Sequence, residues 1–283
     1  MTSNKIGKTR PGDWSLDYSR PHIMGILNCT PDSFSDGGTY IDPEYALVHI
    51  QSMVQQGATI IDIGGESTRP GSDPVSGEEE LRRVLPVLER SIAEFPEVYF
   101  SIDTTKYEVA LASLRCGVDF INDVSGLRSE PRFLDLCLEF NAGLIIMHSL
   151  GNPKTMQENP VYEDVVAEVL NELVLKARKC STAGIRNIII DPGFGFGKNL
   201  DHNLSLLKHF DTFAESGFPV LAGISRKSML GQILNGRDAS GRLIATICAH
   251  FYALQKGARI LRVHDVAEAA DSIRVFEALN NSI

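Results

Sequence analysis

A short apolar run followed by an amphipathic helical pattern recurs eight times along the chain. Each run is rich in Ile, Val and Leu, so it can be buried on both faces, as the strands of a parallel sheet are. Behind each run, apolar residues recur at the spacing of an amphipathic helix. Strands that alternate with helices predict a parallel sheet. The predicted strands lie at residues 23–27, 59–63, 98–102, 118–121, 143–147, 187–190, 219–222 and 259–263.

Eight strand–helix units indicate an α/β protein built as a single (β/α)8 TIM barrel with a short N-terminal extension. An open, doubly wound sheet is the alternative, but it usually has fewer units or a second domain. The barrel would span residues 21–283, because no linker-like or low-complexity break interrupts the alternation. Residues 1–20 form the extension, where the alternating stretch from Trp14 to Tyr18 suits a hairpin or a plug under the barrel.

The bulk properties of the chain exclude several classes of protein. A net charge of −9 over 283 residues argues against a general nucleic-acid binder, because a phosphate backbone requires a basic surface. The five cysteines show no C-x-x-C spacing, which argues against a zinc site and favours reduced thiols. The polar N-terminus is unlike a signal peptide, and no apolar run is long enough to span a bilayer. We therefore expect a cytoplasmic protein that binds neither nucleic acid nor membrane.

Polar side chains follow nearly all the predicted strands. The active sites of (β/α)8 barrels lie at the carboxyl ends of the strands, where the connecting loops meet. A single polar loop tip would be ordinary, but polar ends on nearly every strand indicate one shared pocket. These residues are Asn28, 66–69, Asp103, Asn122, Asp123, Met147, His148, Asp191, 225–227, Arg262 and His264.

The charges at these strand ends divide the predicted pocket into two parts. Cations gather after the seventh and eighth strands, where such barrels commonly bind phosphate; they are Arg226, Lys227, Arg262 and His264. Acids and amides follow other strands, at Asp103, Asn122 and Asp191. Carboxylates accept hydrogen bonds from ring nitrogens, and an amide both donates and accepts. We expect a flat, nitrogen-rich ring on the floor of the pocket and a phosphate at its rim.

The segment 28–38 after the first strand is longer and more polar than a plain connector, which needs about two to six residues. Its oxygen-bearing side chains, among them Asn28, Asp32 and Asp36, could hold Mg²⁺ directly or through water. Its two glycines, at 37 and 38, permit unusual backbone shapes. We therefore interpret this segment as a functional loop.

Several other motifs carry less weight. The segment 193–199 is similar to a phosphate-binding loop, but Pro192 and Asn199 replace the glycine and the hydroxyl residue that such a loop needs. Lys198 is therefore expected at the surface. Phe34, Phe194 and Phe196 could cover a planar ligand at the mouth of the pocket. The remaining histidines lack metal-ligand spacing and are expected to be structural or solvated; they are His22, His49, His202, His209 and His250.

Seven strings, in order from residue 28 to residue 266, resemble the dihydropteroate synthase family, and the likeness spans about residues 20–280. The first four are Asn-Cys-Thr-Pro-Asp-Ser-Phe-Ser-Asp-Gly-Gly (28–38), Asp-Ile-Gly-Gly-Glu-Ser-Thr-Arg-Pro-Gly (62–71), Ser-Ile-Asp-Thr (101–104) and Ile-Asn-Asp-Val-Ser-Gly (121–126). The others are Asp-Pro-Gly-Phe-Gly-Phe-Gly-Lys (191–198), Ser-Arg-Lys-Ser (225–228) and Arg-Val-His-Asp-Val (262–266). Two departures flank the site: Cys29, where a branched aliphatic residue is more usual, and the pair 149–150.

The resemblance implies a Mg²⁺-dependent transferase of folate synthesis. It would condense 6-hydroxymethyl-7,8-dihydropterin pyrophosphate with 4-aminobenzoate and release pyrophosphate. The implied catalytic residues are Asp103, Lys227, Arg262 and His264. The implied pterin-binding residues are Asp103, Asn122, Met147, Asp191, Phe196, Lys227 and Arg262. The implied pyrophosphate ligands are Asn28, Arg262 and His264, with Asn28 next to the metal. The implied aminobenzoate-binding residues are Thr30, Pro31, Phe34, Thr68, Arg69, Pro70 and Ser225.

The family also implies a homodimer that sulfonamides inhibit in competition with 4-aminobenzoate. Two alternatives remain at this point. A pterin-dependent methyltransferase would share the barrel and the acidic pterin floor, but it would not need the cationic segments 225–227 and 262–264. A non-catalytic paralogue would be expected to have lost some of the strand-end groups, and this sequence retains them.

Overall fold

The computed structural model describes residues 14–30, 42–67, 72–151 and 160–282 of the chain. Its strands are β1 (His22–Asn28), β2 (Ile60–Gly64), β3 (Tyr99–Asp103), β4 (Phe120–Asp123), β5 (Gly143–Met147), β6 (Ile188–Asp191), β7 (Leu221–Ala222) and β8 (Ile260–Val263). Its helices are α1 (Pro43–Gln56), α2 (Gly77–Glu94), α3 (Tyr107–Cys116), α4 (Phe133–Phe140), α5 (Val165–Ala183), α6 (Leu200–Lys208), α7 (Phe210–Ala214), α8 (Ser228–Ile233), α9 (Leu243–Gln255) and α10 (Val266–Asn280).

The eight described strands form one parallel sheet that closes into a barrel. They follow the order β6-β5-β4-β3-β2-β1-β8-β7. The two ends of this order meet at a bridge between Ile190 and Val220. The predicted (β/α)8 TIM barrel is thereby confirmed. The seventh strand is shorter than the predicted segment 219–222, and Val220 just before it forms the isolated bridge to Ile190.

Local sequence signals set the ends of the first two helices. Asp42 caps α1 by accepting a hydrogen bond from the main-chain nitrogen of Glu44, and Pro43 is the first helical residue. Gly57 ends the same helix with φ at 113°, in the left-handed region that glycine tolerates. Ser76 caps α2 through the main-chain nitrogen of Glu79. The short helices α7 and α8 were not predicted, because five or six residues are too few to show a helical period.

Apolar side chains from alternate strand positions fill the barrel interior. They are Met24, Ile60, Phe120, Ile145, Ile189, Leu221 and Ile260, with Leu16 packed against them from the N-terminal segment. The larger apolar cluster lies between the strands and the surrounding helices. Among the described helices, none has the length and apolarity that a membrane span requires.

Residues 14–18 cover the end of the barrel opposite the strand carboxyl ends. The Trp14 ring stacks on Tyr99, with 5.6 Å between centroids, and meets the Phe120 ring edge-on at 5.3 Å. Its indole nitrogen donates to the carbonyl oxygen of Asn141 at 2.8 Å. The Asn187 amide donates to the Trp14 carbonyl oxygen at 2.9 Å. This segment is a plug without a strand in residues 14–20, and the residues before it lie outside the described part.

The substitution Trp14→Ala should lower the free energy of unfolding by about 2 kcal/mol, because it removes half-buried ring contacts and a hydrogen bond. Urea unfolding followed by circular dichroism measures this change. Tyr45→Ala is the matched control, since the Tyr45 side chain is 63% exposed, and its effect should stay within about 0.5 kcal/mol. Equal stabilities of the two variants would show that the plug does not stabilise the barrel.

Candidate active site

A cavity opens at the carboxyl ends of the strands, with a volume of about 380 Å³ that includes its mouth. Its lining combines charged, amide, apolar and aromatic groups, contributed by strand ends and by the loops that follow them. The lining residues are Asn122, Val124, Met147, Asp191, Phe194, Phe196, Gly223, Lys227 and Arg262. Six of these belong to the pterin-binding set that the resemblance implied, so the barrel brings them together.

The Arg262 guanidinium lies between two buried carboxylates. Its Nε donates to Oδ2 of Asp62 at 2.6 Å, and its Nη2 donates to Oδ2 of Asp103 at 2.7 Å. The amide of Asn122 donates to the same oxygen of Asp62 at 3.0 Å. The carboxylates raise the pKa of Arg262 against the effect of its burial, so it remains charged. This cluster joins residues from β2, β3, β4 and β8 at the floor of the cavity.

The candidate set drawn from the sequence does not contain Asp62. This side chain is completely buried and lies in the middle of an apolar strand rather than at its end. Ile60 points into the barrel interior, and side chains two residues apart share a face of a strand. Asp62 therefore points inward one layer above Ile60. A carboxylate at an inward position of a buried strand was the signal that could have identified it.

Asp103 retains an unused hydrogen-bonding atom. Burial and the nearby carboxylates together raise the pKa of Asp103 to about 7, although the Arg262 guanidinium opposes them. Its Oδ1 is buried and accepts no hydrogen bond from the described protein. Oδ1 of Asp62 is in the same state. Buried polar atoms are rarely left unsatisfied, so these oxygens mark places where a ligand can bind.

The opposite wall of the cavity carries Asp191, Phe196 and Lys227. Oδ1 of Asp191 accepts a hydrogen bond from the main-chain nitrogen of Gly193 at 2.7 Å. The Lys227 ammonium lies 4.2 Å from the centre of the Phe196 ring, which is a cation–π contact. Burial and the positive charge of Arg262 together lower the pKa of Lys227 to about 8, although the Asp191 and Asp103 carboxylates oppose them. Burial raises the pKa of Asp191.

His264 and Ser225 form a pair beside the cavity. Oγ of Ser225 lies 3.0 Å from Nδ1 of His264 and also accepts a hydrogen bond from the His264 main-chain nitrogen at 3.2 Å. The predicted ligands at the first strand are partly accessible, since the side chains of Asn28 and Thr30 are half-buried. Cys29 between them is buried. The other residues predicted from the first two loops lie outside the described part of the chain: Pro31, Asp32, Phe34, Asp36, Thr68, Arg69 and Pro70.

Two of the strand-end residues make structural contacts. The Glu66 carboxylate binds the Lys106 ammonium and accepts the main-chain nitrogen of Val75 at 3.2 Å. Arg226 forms a two-point ion pair with Asp265, so it does not belong to the predicted cationic rim. The φ of Arg226 is 55°, which is unusual for a residue other than glycine. This backbone conformation directs the Arg226 side chain away from the side chains of Ser225 and Lys227.

Two further strand-end residues also bind within the protein. The Asp123 carboxylate accepts the main-chain nitrogens of Ser125 and Leu127, at 2.8 and 2.5 Å. The His148 ring is buried and lies 3.0 Å from the Lys198 ammonium.

The prediction that Lys198 lies at the surface is wrong. Its side chain is 2% exposed, and its ammonium binds acceptors in the loops after β5 and β6. Phe194 is also buried and lies 6.3 Å from the Phe210 ring, measured between centroids. Three of the remaining histidines have structural environments. The His22 ring hydrogen-bonds to Asp17 and Thr59, and His202 takes part in the N-terminal cap of α6. His250 is completely buried.

The barrel and its polar cavity define an enzyme class, the (β/α)8 enzymes that bind a flat, polar ring at the strand carboxyl ends. A family model described as "Pterin binding enzyme" matches residues 24–264. The dihydropteroate synthase of Escherichia coli (strain K12) is 51% identical over 266 residues, which cover 93% of each chain. That of Haemophilus influenzae is 47% identical over 269 residues, which cover 94% of this chain and 97% of the relative.

Solved structures show the same relationship. The dihydropteroate synthase of Yersinia pestis with a sulfonamide drug complex superposes with a TM-score of 0.88, at 44% identity, and covers 94% of this chain and 97% of its own. That of Xanthomonas albilineans in complex with 7,8-dihydropteroate has a TM-score of 0.85, at 42% identity, and covers 95% and 97%. The chain belongs to the dihydropteroate synthase family of pterin-binding enzymes. Its activity is the transferase reaction of that family, as the sequence motifs indicated.

The substitution Asp103→Asn should change how stability depends on pH. An acid whose pKa rises from 3.8 to about 7 on folding binds its proton more tightly in the folded state. The wild-type protein therefore loses stability as the pH rises between these values, and the loss is complete above about pH 7. The variant lacks this contribution, so its stability relative to wild type should increase from pH 5 to pH 7 and then level off.

Urea unfolding at pH 5, 6, 7 and 8 measures this difference. Asp271→Asn is the control, because Asp271 pairs with Arg274 at the surface with its side chain 74% exposed. A constant difference in unfolding free energy between wild type and Asp103→Asn at all four pH values would contradict a raised pKa.

Proposed function

We propose that the cavity binds the pterin ring of 6-hydroxymethyl-7,8-dihydropterin pyrophosphate. Asp103, Asn122, Asp191 and Lys227 form hydrogen bonds with the ring, and Arg262 lies against it. Met147 and Phe196 form the apolar walls of the ring pocket. The observation that carries this proposal is the cavity itself, in which an acid, an amide and two cations surround a space that apolar groups flank. The unpartnered Oδ1 of Asp103 beside it supports the same assignment.

The pyrophosphate end of the substrate is assigned to the strands on the other side of the floor. Asn28, Arg262 and His264 are the proposed ligands, from β1, β8 and the loop after β8. The neutral or charged imidazole donates to phosphate oxygens, as the guanidinium does. The His264 imidazole, whose Nδ1 lies 3.0 Å from Oγ of Ser225, is the proposed donor to the phosphate.

The aminobenzoate pocket is proposed at the mouth, above the pterin. Thr30 and Ser225 are its described members. The other members come from the first two loops: Pro31, Phe34, Thr68, Arg69 and Pro70. The related enzyme of Xanthomonas albilineans has been solved with 4-aminobenzoic acid, and that of Yersinia pestis with a sulfonamide drug complex. We propose that both classes bind this pocket here, so that sulfonamides compete with 4-aminobenzoate.

The residues suggest how the reaction proceeds. The bond between the pterin methylene carbon and the pyrophosphate oxygen breaks, and its electron pair leaves with the oxygen. The electron-rich ring spreads the positive charge that develops, and the Asp103 carboxylate stabilises it. Arg262 and His264 stabilise the charge on the departing pyrophosphate. The amine nitrogen of 4-aminobenzoate then forms the new bond to carbon and loses a proton to solvent. No covalent enzyme intermediate is required.

The donor set at this end of the barrel fits Mg²⁺ bound through the substrate. The described residues contain no group of three His, Cys, Asp or Glu side chains that could hold a metal. Mg²⁺ usually keeps several waters and takes the rest of its ligands from one or two protein groups and from substrate phosphates. The amide oxygen of Asn28 is the proposed protein ligand. When bound, Mg²⁺ would neutralise charge on the leaving pyrophosphate.

We also propose a cytoplasmic homodimer. The described cysteines are unpaired, which is typical of a reducing compartment. The last two helices expose the apolar side chains of Ile244, Val275 and Leu279, each more than half accessible. A second copy of the chain could cover them, and light scattering of the purified protein tests this.

The purified protein should release pyrophosphate from the pterin substrate only when 4-aminobenzoate and Mg²⁺ are both present. A coupled pyrophosphate assay measures this, and EDTA should abolish the signal. A sulfonamide should raise the apparent KM for 4-aminobenzoate without lowering the maximal rate.

Asn28→Ala should raise the Mg²⁺ concentration for half-maximal rate by about tenfold, because the metal loses its protein ligand. Absence of pyrophosphate release by the wild type would refute the proposed function.

Two substitutions should separate charge stabilisation from ring binding. Asp103→Asn should lower kcat by on the order of 100-fold while changing the pterin substrate affinity less, because the charge that it removes acts mainly in the transition state. Lys227→Ala should impair both kcat and affinity, because the ammonium binds the ring in the ground state and also holds it in the orientation that the reaction requires.

Lys256→Ala is the control for Lys227→Ala, since Lys256 pairs with Asp211 on the outside of the barrel at 2.6 Å. Steady-state kinetics and calorimetric binding of the pterin substrate supply the measurements. Equal and mild effects of the two site substitutions would contradict the assigned roles.

A further inference from the structure

Lys198 is a buried cation that the proposed reaction does not use. It lies in the loop between β6 and α6, and only 2% of its surface is exposed. Its ammonium donates to the main-chain oxygens of Gly193 and Phe196, each at 3.0 Å, and to that of His148 at 3.3 Å. It also lies 3.0 Å from Nδ1 of the His148 ring. These four acceptors offset the cost of removing an ammonium from water.

The protonation state of His148 follows from this contact. Burial lowers the pKa of Lys198 to about 7, although the Asp191 carboxylate opposes that effect. In its protonated form the ammonium has only donors, so Nδ1 of His148 accepts the hydrogen bond. Burial and the neighbouring positive charges lower the pKa of His148 to about 2, so the ring is neutral. Its proton is therefore on Nε2, which lies 3.4 Å from Oε2 of Glu172 on α5. The imidazole thus connects the buried lysine to the helix that follows β5.

The acceptors of Lys198 belong to two neighbouring loops. His148 follows β5, whereas Gly193 and Phe196 follow β6. The loops touch so closely that a Cβ on Gly193 would lie 1.9 Å from the His148 carbonyl oxygen. The φ of Gly193 is 70°, and glycine tolerates that conformation without strain. Glycine permits this approach, and the Lys198 ammonium fastens the two loops together.

The residues that Lys198 fastens also face the cavity. The main-chain nitrogen of Gly193 binds the Asp191 carboxylate at 2.7 Å. The ring of Phe196 lies 4.2 Å from the Lys227 ammonium. Each residue therefore presents its carbonyl to Lys198 and another group to a member of the proposed pterin site. The wall of the cavity depends on the position of this loop.

We infer that Lys198 is a positioning residue for the pterin ring: it fixes the loop after β6 against the loop after β5 and so sets Asp191, Phe196 and Lys227 in place. This inference rests on the proposed pterin site. Lys198 does not touch the substrate in this assignment. Its removal would deprive three buried carbonyl oxygens of a donor, and the loop would shift to satisfy them.

The aminobenzoate pocket should be affected less by such a shift. Its described members, Thr30 and Ser225, lie on the loops after β1 and β7. Neither residue contacts the Lys198 ammonium. A positioning role at the pterin wall therefore predicts a selective loss of pterin binding, whereas a purely structural role predicts a general loss of folded, active protein.

The test is Lys198→Met, which keeps the length of the side chain and removes the charge and donors. Calorimetry with 6-hydroxymethylpterin gives its Kd, and steady-state kinetics gives a KM for each substrate. The Kd and the KM for the pterin substrate should rise about tenfold or more, because a displaced binding group loses most of its effect. The KM for 4-aminobenzoate should stay within about threefold of the wild-type value.

Two controls separate position from stability. Trp14→Ala destabilises the opposite end of the barrel and should leave both KM values unchanged at a temperature well below its Tm. Lys256→Met removes an ion-paired lysine that is distant from the loops, and it should also leave both values unchanged. If Lys198→Met does not fold, Lys198→Gln replaces it, because a neutral amide is easier to bury and its NH2 group still donates hydrogen bonds. Its pterin Kd should rise about threefold to tenfold.

The outcomes are distinct. A pterin Kd within twofold of wild type in the folded Lys198 variant would overturn the inference, as would equal losses for both substrates that follow the loss of Tm. Failure of the wild-type protein to bind 6-hydroxymethylpterin would instead refute the proposed pterin site on which the inference rests.

Discussion

The buried group formed by Arg262, Asp62 and Asp103 is the interaction on which the rest of the site depends. One guanidinium bonds to two carboxylates from different strands, at 2.6 and 2.7 Å. Removing Arg262 would leave two carboxylates without their shared cation inside the barrel, which is strongly destabilising. The arrangement also carries two acids for one base. Burial, together with the neighbouring carboxylates, raises the pKa of Asp103. One carboxylate oxygen of each acid accepts no hydrogen bond from the residues that the structure describes.

The same cation organises the opposite wall. The charge of Arg262 contributes to the lowered pKa of Lys227, whereas the Asp191 carboxylate opposes that effect. Lys227 also lies over the Phe196 ring. The cavity therefore contains two cations of different kinds. Arg262 stays charged because its carboxylate partners raise its pKa, whereas the lowered pKa of Lys227 makes its protonation depend on nearby charges. A ring that both donates and accepts hydrogen bonds can satisfy the acids on one side and the lysine on the other.

Much of the cavity lining could be predicted from the sequence, because the parallel strands of a barrel have all their carboxyl ends on the same face. That rule was sufficient to bring Asn122, Asp191 and Lys227 to one cavity from strings distant in the chain. It failed for Asp62, which lies inside a strand and reaches the site through the alternation of side chains. It also failed for Lys198, because the acceptors that allow its burial are main-chain carbonyls, and a sequence does not show which carbonyls a folded loop presents.

Arg226 shows the same limit at the loop after β7. It lies between Ser225 and Lys227 in the sequence, and its positive charge alone is what predicts a place in a phosphate-binding rim. Its guanidinium instead pairs with Asp265, its main-chain nitrogen donates to Thr246, and its carbonyl oxygen accepts from Arg242 at 2.9 Å. These contacts hold a left-handed backbone conformation at Arg226. The arginine thereby fixes the loop from outside, and Lys227 extends into the cavity while Ser225 contacts His264. Positive charge at a strand end thus has two placements in this barrel, lining the cavity at Lys227 and anchoring a loop at Arg226, and the backbone geometry separates them.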